Sequence, residues 1–251
     1  MKSLAVVSRR KFMTLTAAGL TLANSGQLFA GPHEEAAQKE AASSKTPAPI
    51  GADQAWHDLL DGNARFVKGQ PTGPRRSPED FRALAEGQYP HAVIVSCADS
   101  RVAPEILFDV GVGDIFVVRI AGNVVGGAGV TVKGSIEYAI AELNVPLIVV
   151  LGHSGCGAVK AAMKHIDAKD SLPGAINGLV ELIKPAVNQS RGKSGDPLDN
   201  AIRQNVQLGV ERLNELQPIL APKVKEGKLK VVGAVYDLRT GTVTPLDRGA
   251  S

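Results

Sequence analysis

Four short runs in this chain, at 92–95, 115–118, 146–151 and 230–236, are apolar almost throughout rather than alternating. A strand that is apolar on both sides must be covered on both faces. Helix-period segments separate the runs, and that order implies a parallel sheet sandwiched between helices. Thr240-Gly241 reads as a turn into a last short strand at 242–245. The expectation is therefore an α/β fold with a mostly parallel central sheet of four to five strands flanked by helices. In such sheets, ligands sit beyond the carboxyl ends of the strands.

Apolar positions at Trp56, Leu59, Leu60, Ala64, Phe66 and Val67 predict a helix over 53–68. Ser77-Pro78-Glu79-Asp80 is a helix start, with Ser as N-cap, Pro in the first turn and acids at the positive end, and Gly87 is its expected stop. An amphipathic helix is expected over 130–143 and another over 156–165. Further helices fill much of 174–226, with Pro185, Pro197 and Pro218 read as breaks.

The amino-terminal end reads as an address. Ser8-Arg9-Arg10-Lys11-Phe12-Met13 is a twin-arginine pattern ahead of a mildly apolar stretch, 12–23. A spanning helix needs about 20 apolar residues, and this stretch is shorter and broken by Thr14, Thr16, Gly19 and Thr21. Residues 1–30 are read as a twin-arginine signal peptide, with cleavage after Ser25 or Ala30 and a periplasmic or otherwise exported destination; an ordinary secretory signal is the competing reading. Residues 31–50 are rich in Ala, Glu, Lys, Ser and Pro and hold almost no large apolar side chain, which reads as a disordered linker. One domain is expected over 51–251. Four of the 28 basic residues fall in 1–30, leaving 24 against 25 acids and no dense basic run. With aromatics at 4%, a nucleic-acid partner is not expected.

Two clusters carry the chemistry. Cys97-Ala98-Asp99-Ser100-Arg101 follows the 92–96 strand, and His153-Ser154-Gly155-Cys156-Gly157 follows the 146–151 strand. If those strands are neighbours, the loops meet. Two thiolates and an imidazole favour zinc, with a fourth position left open to water. On residues alone, two distant cysteines fit a disulfide or a pair of buried thiols equally well. Asp99 and Arg101 alone could be a surface ion pair. His165 reads as a solvated helix residue with no partner. Gly152 to Gly157 lacks the Lys-Ser/Thr of a phosphate loop, and the glycine-rich run 122–129 lacks dinucleotide spacing, so both read as turn and packing glycines.

Ser96-Cys97-Ala98-Asp99-Ser100-Arg101-Val102, Gly113-Asp114-Ile115-Phe116-Val117-Val118-Arg119, Ala121-Gly122-Asn123 and His153-Ser154-Gly155-Cys156-Gly157, taken in order, resemble the β-class carbonic anhydrases. The likeness runs with gaps from Leu59-Leu60 to Val235-Tyr236-Asp237. It implies Cys97, His153 and Cys156 as ligands of one Zn2+ per chain, Asp99 and Arg101 as a catalytic dyad, and Asp99 as a metal ligand in a closed state. It implies Gln88, Phe116, Tyr138 and Gly157 as substrate-pocket residues, Gly157 through its backbone N–H. Ile94-Val95-Ser96 stand where the bicarbonate-regulated subclass has a tryptophan, so the resemblance implies the plant-type, non-allosteric subclass. The implied reaction is reversible hydration of carbon dioxide to bicarbonate and a proton by zinc-bound hydroxide. The implied assembly is a homodimer or a multiple of dimers, in which Gln88, Phe116 or Tyr138 serves a neighbour's zinc. Two rivals remain: a carbonyl sulfide or carbon disulfide hydrolase on the same site, and a non-catalytic zinc or redox protein.

Overall fold

In the computed structural model, residues 49–127 and 129–246 are described. The signal-peptide reading of 1–30, and all of the linker reading but Pro49 and Ile50, fall outside them. Ile50 is half-buried against the core.

Five strands, β1 (Ala92–Ser96), β2 (Ile115–Arg119), β3 (Leu147–His153), β4 (Lys230–Tyr236) and β5 (Val243–Pro245), form one sheet in the order β2-β1-β3-β4-β5. The first four are parallel, and β5 runs antiparallel to β4. β1 and β3 are central and buried at every residue, which is why their sequences are apolar without alternation. Alternate side chains still part to opposite faces. Val93, Val95, Ile148, Val150 and Val231 pack with Ile136 and Ile140 of α4 (Val130–Ala141), Val206 and Leu213 of α7 (Pro197–Asn214), and Leu220 of α8 (Leu220–Lys225). On the other face, Ile94, Leu147, Val149 and Ala234 pack with Leu59 of α1 (Ala52–Val67), Leu107 of α3 (Pro104–Leu107) and Phe108. Each fully buried Ile, Leu or Phe contributes about 1.5–3 kcal/mol. A third apolar cluster caps the carboxyl end of the sheet. It joins Cys97 and Cys156 to Val159 of α5 (Gly157–Ala168), Ile183 of α6 (Ile176–Ser190) and Ile202 of α7.

Three local expectations are corrected, and Pro197 falls at the expected break between helices. The helix begun at Ser77 is α2 (Pro78–Ala83); it has the expected capping box with Asp80 but ends before Gly87. β3 runs on to His153, because Gly152 and His153 pair in register with Val235 and Tyr236. A side chain at Gly152 would meet Val206 Cγ2 at 2.6 Å, so glycine there lets α7 approach the sheet. Pro185 lies inside α6 rather than breaking it. An interior proline costs ~3 kcal/mol, but Val180, Ile183, Ala186 and Val187 are buried on both sides of it, and their burial outweighs that cost. Pro197 opens α7, with Asp196 as N-cap accepting from the Asp199 N–H.

Candidate metal centre

β1 and β3 are neighbours, with Ser96 in register with Leu151. Cys97, which follows Ser96, therefore meets His153 at the end of β3. Gly155, at φ +65°, turns the chain back so that Cys156 forms the N-cap of α5. One ligand atom from each of Cys97, His153 and Cys156 lies within 4.8 Å of the other two. All three residues are buried. Two strand ends and a helix start thus converge three soft or borderline donors on one point.

The donors fit a metal ion. Nδ1 of His153 lies 3.0 Å from the Ser154 carbonyl oxygen, which assigns its proton to Nδ1 and leaves a lone pair on Nε2. Ser154 is itself stapled to the end of β4, its N–H donating to the Tyr236 carbonyl and its Oγ accepting from the Leu238 N–H. Nε2 of His153 is buried with no protein partner. Such an orphan costs about 1–3 kcal/mol unless a ligand satisfies it. The Cys97 thiol is held well below its ordinary pKa, first by the hydrogen bond from Cys156 and then by the Gly122 N–H, against the opposing effect of burial. The same contact, with burial, pushes Cys156 up, against the N–H groups of Val159 and Ala158 at the start of α5. A divalent cation held by both sulfurs would favour the ionised form of each.

Around this cluster lies a second set of contacts. The Gly122 N–H donates to Cys97 Sγ at 3.2 Å. Gly122 sits in a 3-10 turn, Ala121–Asn123, at φ +74°, where a side chain would collide with Ile183 and Ala158. Its carbonyl accepts from Nδ2 of the buried Asn205 on α7 at 2.8 Å. Asp99 is chelated by Arg101: Nε donates to Oδ1 at 2.9 Å, Nη2 to Oδ2 at 2.7 Å, and the Arg101 N–H to Oδ1 at 3.0 Å. These contacts, the guanidinium first, hold the Asp99 carboxyl well below the usual carboxylate range. Asp99 Oδ2 stands 3.9 Å from His153 Nε2. Arg119, the last residue of β2, donates through Nε to the Cys97 carbonyl at 3.2 Å and through Nη2 to the Asp99 carbonyl at 2.7 Å.

The structure thus brings together Cys97, His153, Cys156, Asp99 and Arg101, with Gly157 adjacent as the first residue of α5, its Cα facing open space. It does not bring Gln88, Phe116 or Tyr138 to the same point. Gln88 is exposed and precedes β1, at the opposite end of that strand from Cys97. Phe116 is in register with Val93, four residues or about 13 Å short of Cys97. It packs with Tyr138, the ring centroids 6.3 Å apart, on the sheet's edge. His165 is not the solvated, unpartnered residue expected: its Nδ1 lies 2.7 Å from Asp170 Oδ1, because left-handed Lys169 ends α5 and folds Asp170 back. Ser154, Arg119 and Asn205 were not singled out by sequence reasoning. Arg119 lay within a recognised motif, and its part follows only from the β1–β2 register. Asn205 carries no sequence signal for this site.

Comparison with known proteins places these features in company. A family model described as carbonic anhydrase matches residues 92–243. Carbonic anhydrase 2 of Mycobacterium tuberculosis is 46% identical over 188 residues, covering 74% of this chain and 89% of that protein. The solved β-carbonic anhydrase CcaA is similar with a TM-score of 0.60 and 29% identity, over 76% of this chain and 95% of that one. A structure from a study of two tetrameric β-carbonic anhydrases of Sordaria macrospora gives a TM-score of 0.60 and 25% identity, over 79% and 100%.

Proposed function

The chain belongs to the β-class carbonic anhydrase family, and from that premise we propose that it hydrates carbon dioxide at a zinc ion held by Cys97, His153 and Cys156. The observation that carries the proposal is the buried trio of donors with His153 Nε2 left unpartnered. Two sulfurs and one imidazole nitrogen suit zinc, with a fourth position free. When bound, zinc supplies a water ionised near neutral pH as the nucleophile. The reaction forms one C–O bond and releases one proton to solvent.

The chain's own residues direct this chemistry. Asp99 stays anionic because Arg101 grips both of its oxygens. With zinc bound, this carboxylate would accept a hydrogen bond from the nucleophile and so orient the nucleophile's free lone pair toward the carbon of carbon dioxide. Released from Arg101, the same carboxylate would compete for the open position, so the dyad works as a gate. Ile94, Val95 and Ser96 fill the stretch where a bicarbonate-regulated enzyme would carry tryptophan, which supports the plant-type subclass.

The assembly we propose is a dimer or a multiple of dimers in which Gln88, Phe116 and Tyr138 of one protomer complete its partner's pocket. Two features support it. β2 is an edge strand whose Ile115, Phe116 and Val117 are half-exposed, an apolar edge that proteins cover. Val130 and Tyr138 of α4 are exposed as well, Val130 at 86%. Arg9-Arg10 supports export by the twin-arginine route. Cell fractionation of wild type against an Arg9→Lys, Arg10→Lys variant tests that route.

Metal content and hydration measured together on the purified chain test the main proposal. One zinc per chain with carbon dioxide hydration is expected. Zinc with turnover of carbonyl sulfide or carbon disulfide but not of carbon dioxide would redirect the assignment. No zinc, with both thiols oxidised, would overturn it.

A further inference from the structure

The loop that carries both a metal ligand and the gate is fastened to the sheet by one side chain from another strand. Arg119 is in register with Ser96. Beyond that pair the ladder continues: the Ile120 N–H donates to the Ser96 carbonyl, and the Ala98 N–H donates to the Ile120 carbonyl. The Arg119 guanidinium then reaches two further carbonyls of the loop, those of Cys97 and Asp99. Arg's planar fork suits this task, because two donors in fixed geometry meet two acceptors.

Asp99 is therefore clamped twice, by different means. Arg101 holds its side chain but belongs to the same loop, so the two would move together. Arg119 holds its backbone and belongs to β2, so beside the Ala98–Ile120 backbone pair it is the side chain that ties Asp99 itself to the sheet. β2 does not need this side chain for its own place: five register pairs with β1 secure it. No other hydrogen bond or ion pair of the Arg119 side chain is found among the described residues. With Asp99 Oδ2 only 3.9 Å from His153 Nε2, a shift on the order of 1 Å decides whether the carboxylate assists the nucleophile or displaces it.

From this geometry we infer that Arg119 is a positioning residue that holds the Asp99–Arg101 gate open by fixing the 97–101 loop to β2. The inference rests on the zinc-and-gate reading above. Arg119→Met removes both hydrogen bonds. Arg119→Lys keeps the charge but presents a single ammonium, which cannot reproduce the fork.

The experiment compares wild type, Arg119→Met, Arg119→Lys and Arg101→Ala for metal content, Tm, the pH profile of kcat, and the visible spectrum of the Co2+-substituted protein. In both Arg119 variants we expect full metal content and a Tm close to wild type. At neutral pH we expect kcat lower by about 10–100-fold in Arg119→Met, the range found for partners outside the ligand set, with Arg119→Lys between it and wild type. The Co2+ spectrum should shift toward that of Arg101→Ala, and activity should recover as pH rises. A wild-type pH profile and Co2+ spectrum in Arg119→Met would overturn the inference. So would metal content or Tm falling in step with activity, which would make Arg119 a brace for the fold alone. If wild type binds no metal, or Arg101→Ala matches it in every readout, the zinc-and-gate reading fails first and the inference with it.

Discussion

Asp99 faces His153 across 3.9 Å, Oδ2 to Nε2, while Arg101 holds both of its carboxylate oxygens. On the proposed function, the carboxylate is near enough to the candidate metal centre to take part, and Arg101 restrains it from binding there. Its side chain is 17% exposed, and that of Arg101 is 58% exposed. An exposed ion pair contributes little to stability. The value of this pair lies in where it holds the carboxylate.

Removing the restraint should therefore damage activity and spare the protein. Arg101→Ala is expected to retain zinc and Tm while hydration at pH 7 falls by about 10²–10³-fold, the usual scale for losing a preorganised electrostatic contact. Metal analysis and stopped-flow hydration check both halves. Full activity in this variant would remove the gate from the mechanism.

The pH dependence follows from the same contacts. Arg101, first among the causes, depresses the Asp99 pKa well below the carboxylate range. Asp99 is thus ionised throughout the working range, and no inflection above about pH 4 belongs to it. Two anionic sulfurs also give more charge to a zinc ion than three imidazoles would, which makes the ion a weaker acid. The expected profile of kcat rises from pH 6.5 to 8.5. A profile flat from acid to alkaline pH would contradict this account.

The sheet was legible because burial on both faces leaves a continuous apolar run, as at Ala92–Ser96 and Lys230–Tyr236, where the expected strands match the observed ones. The end of β3 was not legible. Gly152 and His153 are not apolar, and only pairing with Val235 and Tyr236 keeps them in the strand. Pro185 misled for a related reason: its neighbours' burial against α5 and α7 is a tertiary effect. Cys97, His153 and Cys156 could be read because each lies within five residues of an apolar run that ends at the same edge. Asn205 could not, since it reaches Gly122 across 83 residues from the middle of an amphipathic helix. The helical pattern there marks Asn205 only as a polar residue on the buried side.

Asn205 provides a separate test of how the surroundings tune the metal ligands. Its Nδ2 holds the Gly122 carbonyl, and the Gly122 N–H points at Cys97 Sγ. Asn205→Leu keeps the volume but leaves a buried carbonyl unsatisfied, at a cost of about 1–3 kcal/mol. We expect a lower Tm, and zinc lost to a competing chelator about 10–100-fold more readily than from wild type. Asn205→Ser tests the hydrogen bond with a shorter donor and should fall on the same side of wild type. Unchanged zinc retention in Asn205→Leu would show that the Gly122 turn holds without it.

Asp109 is expected to contribute to acid stability rather than to catalysis. Its side chain is wholly buried. Burial alone would raise its pKa, but donors from Thr72, Arg65 and Gly73 outweigh burial and hold it well below the usual range. Arg65 Nε lies 2.7 Å from Oδ2, and the N–H groups of Thr72 and Gly73 each approach within 2.9 Å. A carboxyl whose folded pKa is depressed contributes stability that is fully present above its unfolded value, about 3.9, and is lost as pH falls through the folded one. Wild type should therefore lose stability steeply below about pH 4. Asp109 adopts φ +47°, a conformation that asparagine tolerates well, so Asp109→Asn removes the charge without straining the backbone. That variant should be less stable at pH 7 by about 1–3 kcal/mol, the scale for losing charge-assisted hydrogen bonds to a buried carboxylate whose arginine partner is half-exposed. Its denaturation midpoint should also change less between pH 5 and pH 3 than that of wild type. Parallel curves for the two proteins across that interval would assign the acid lability to other carboxylates.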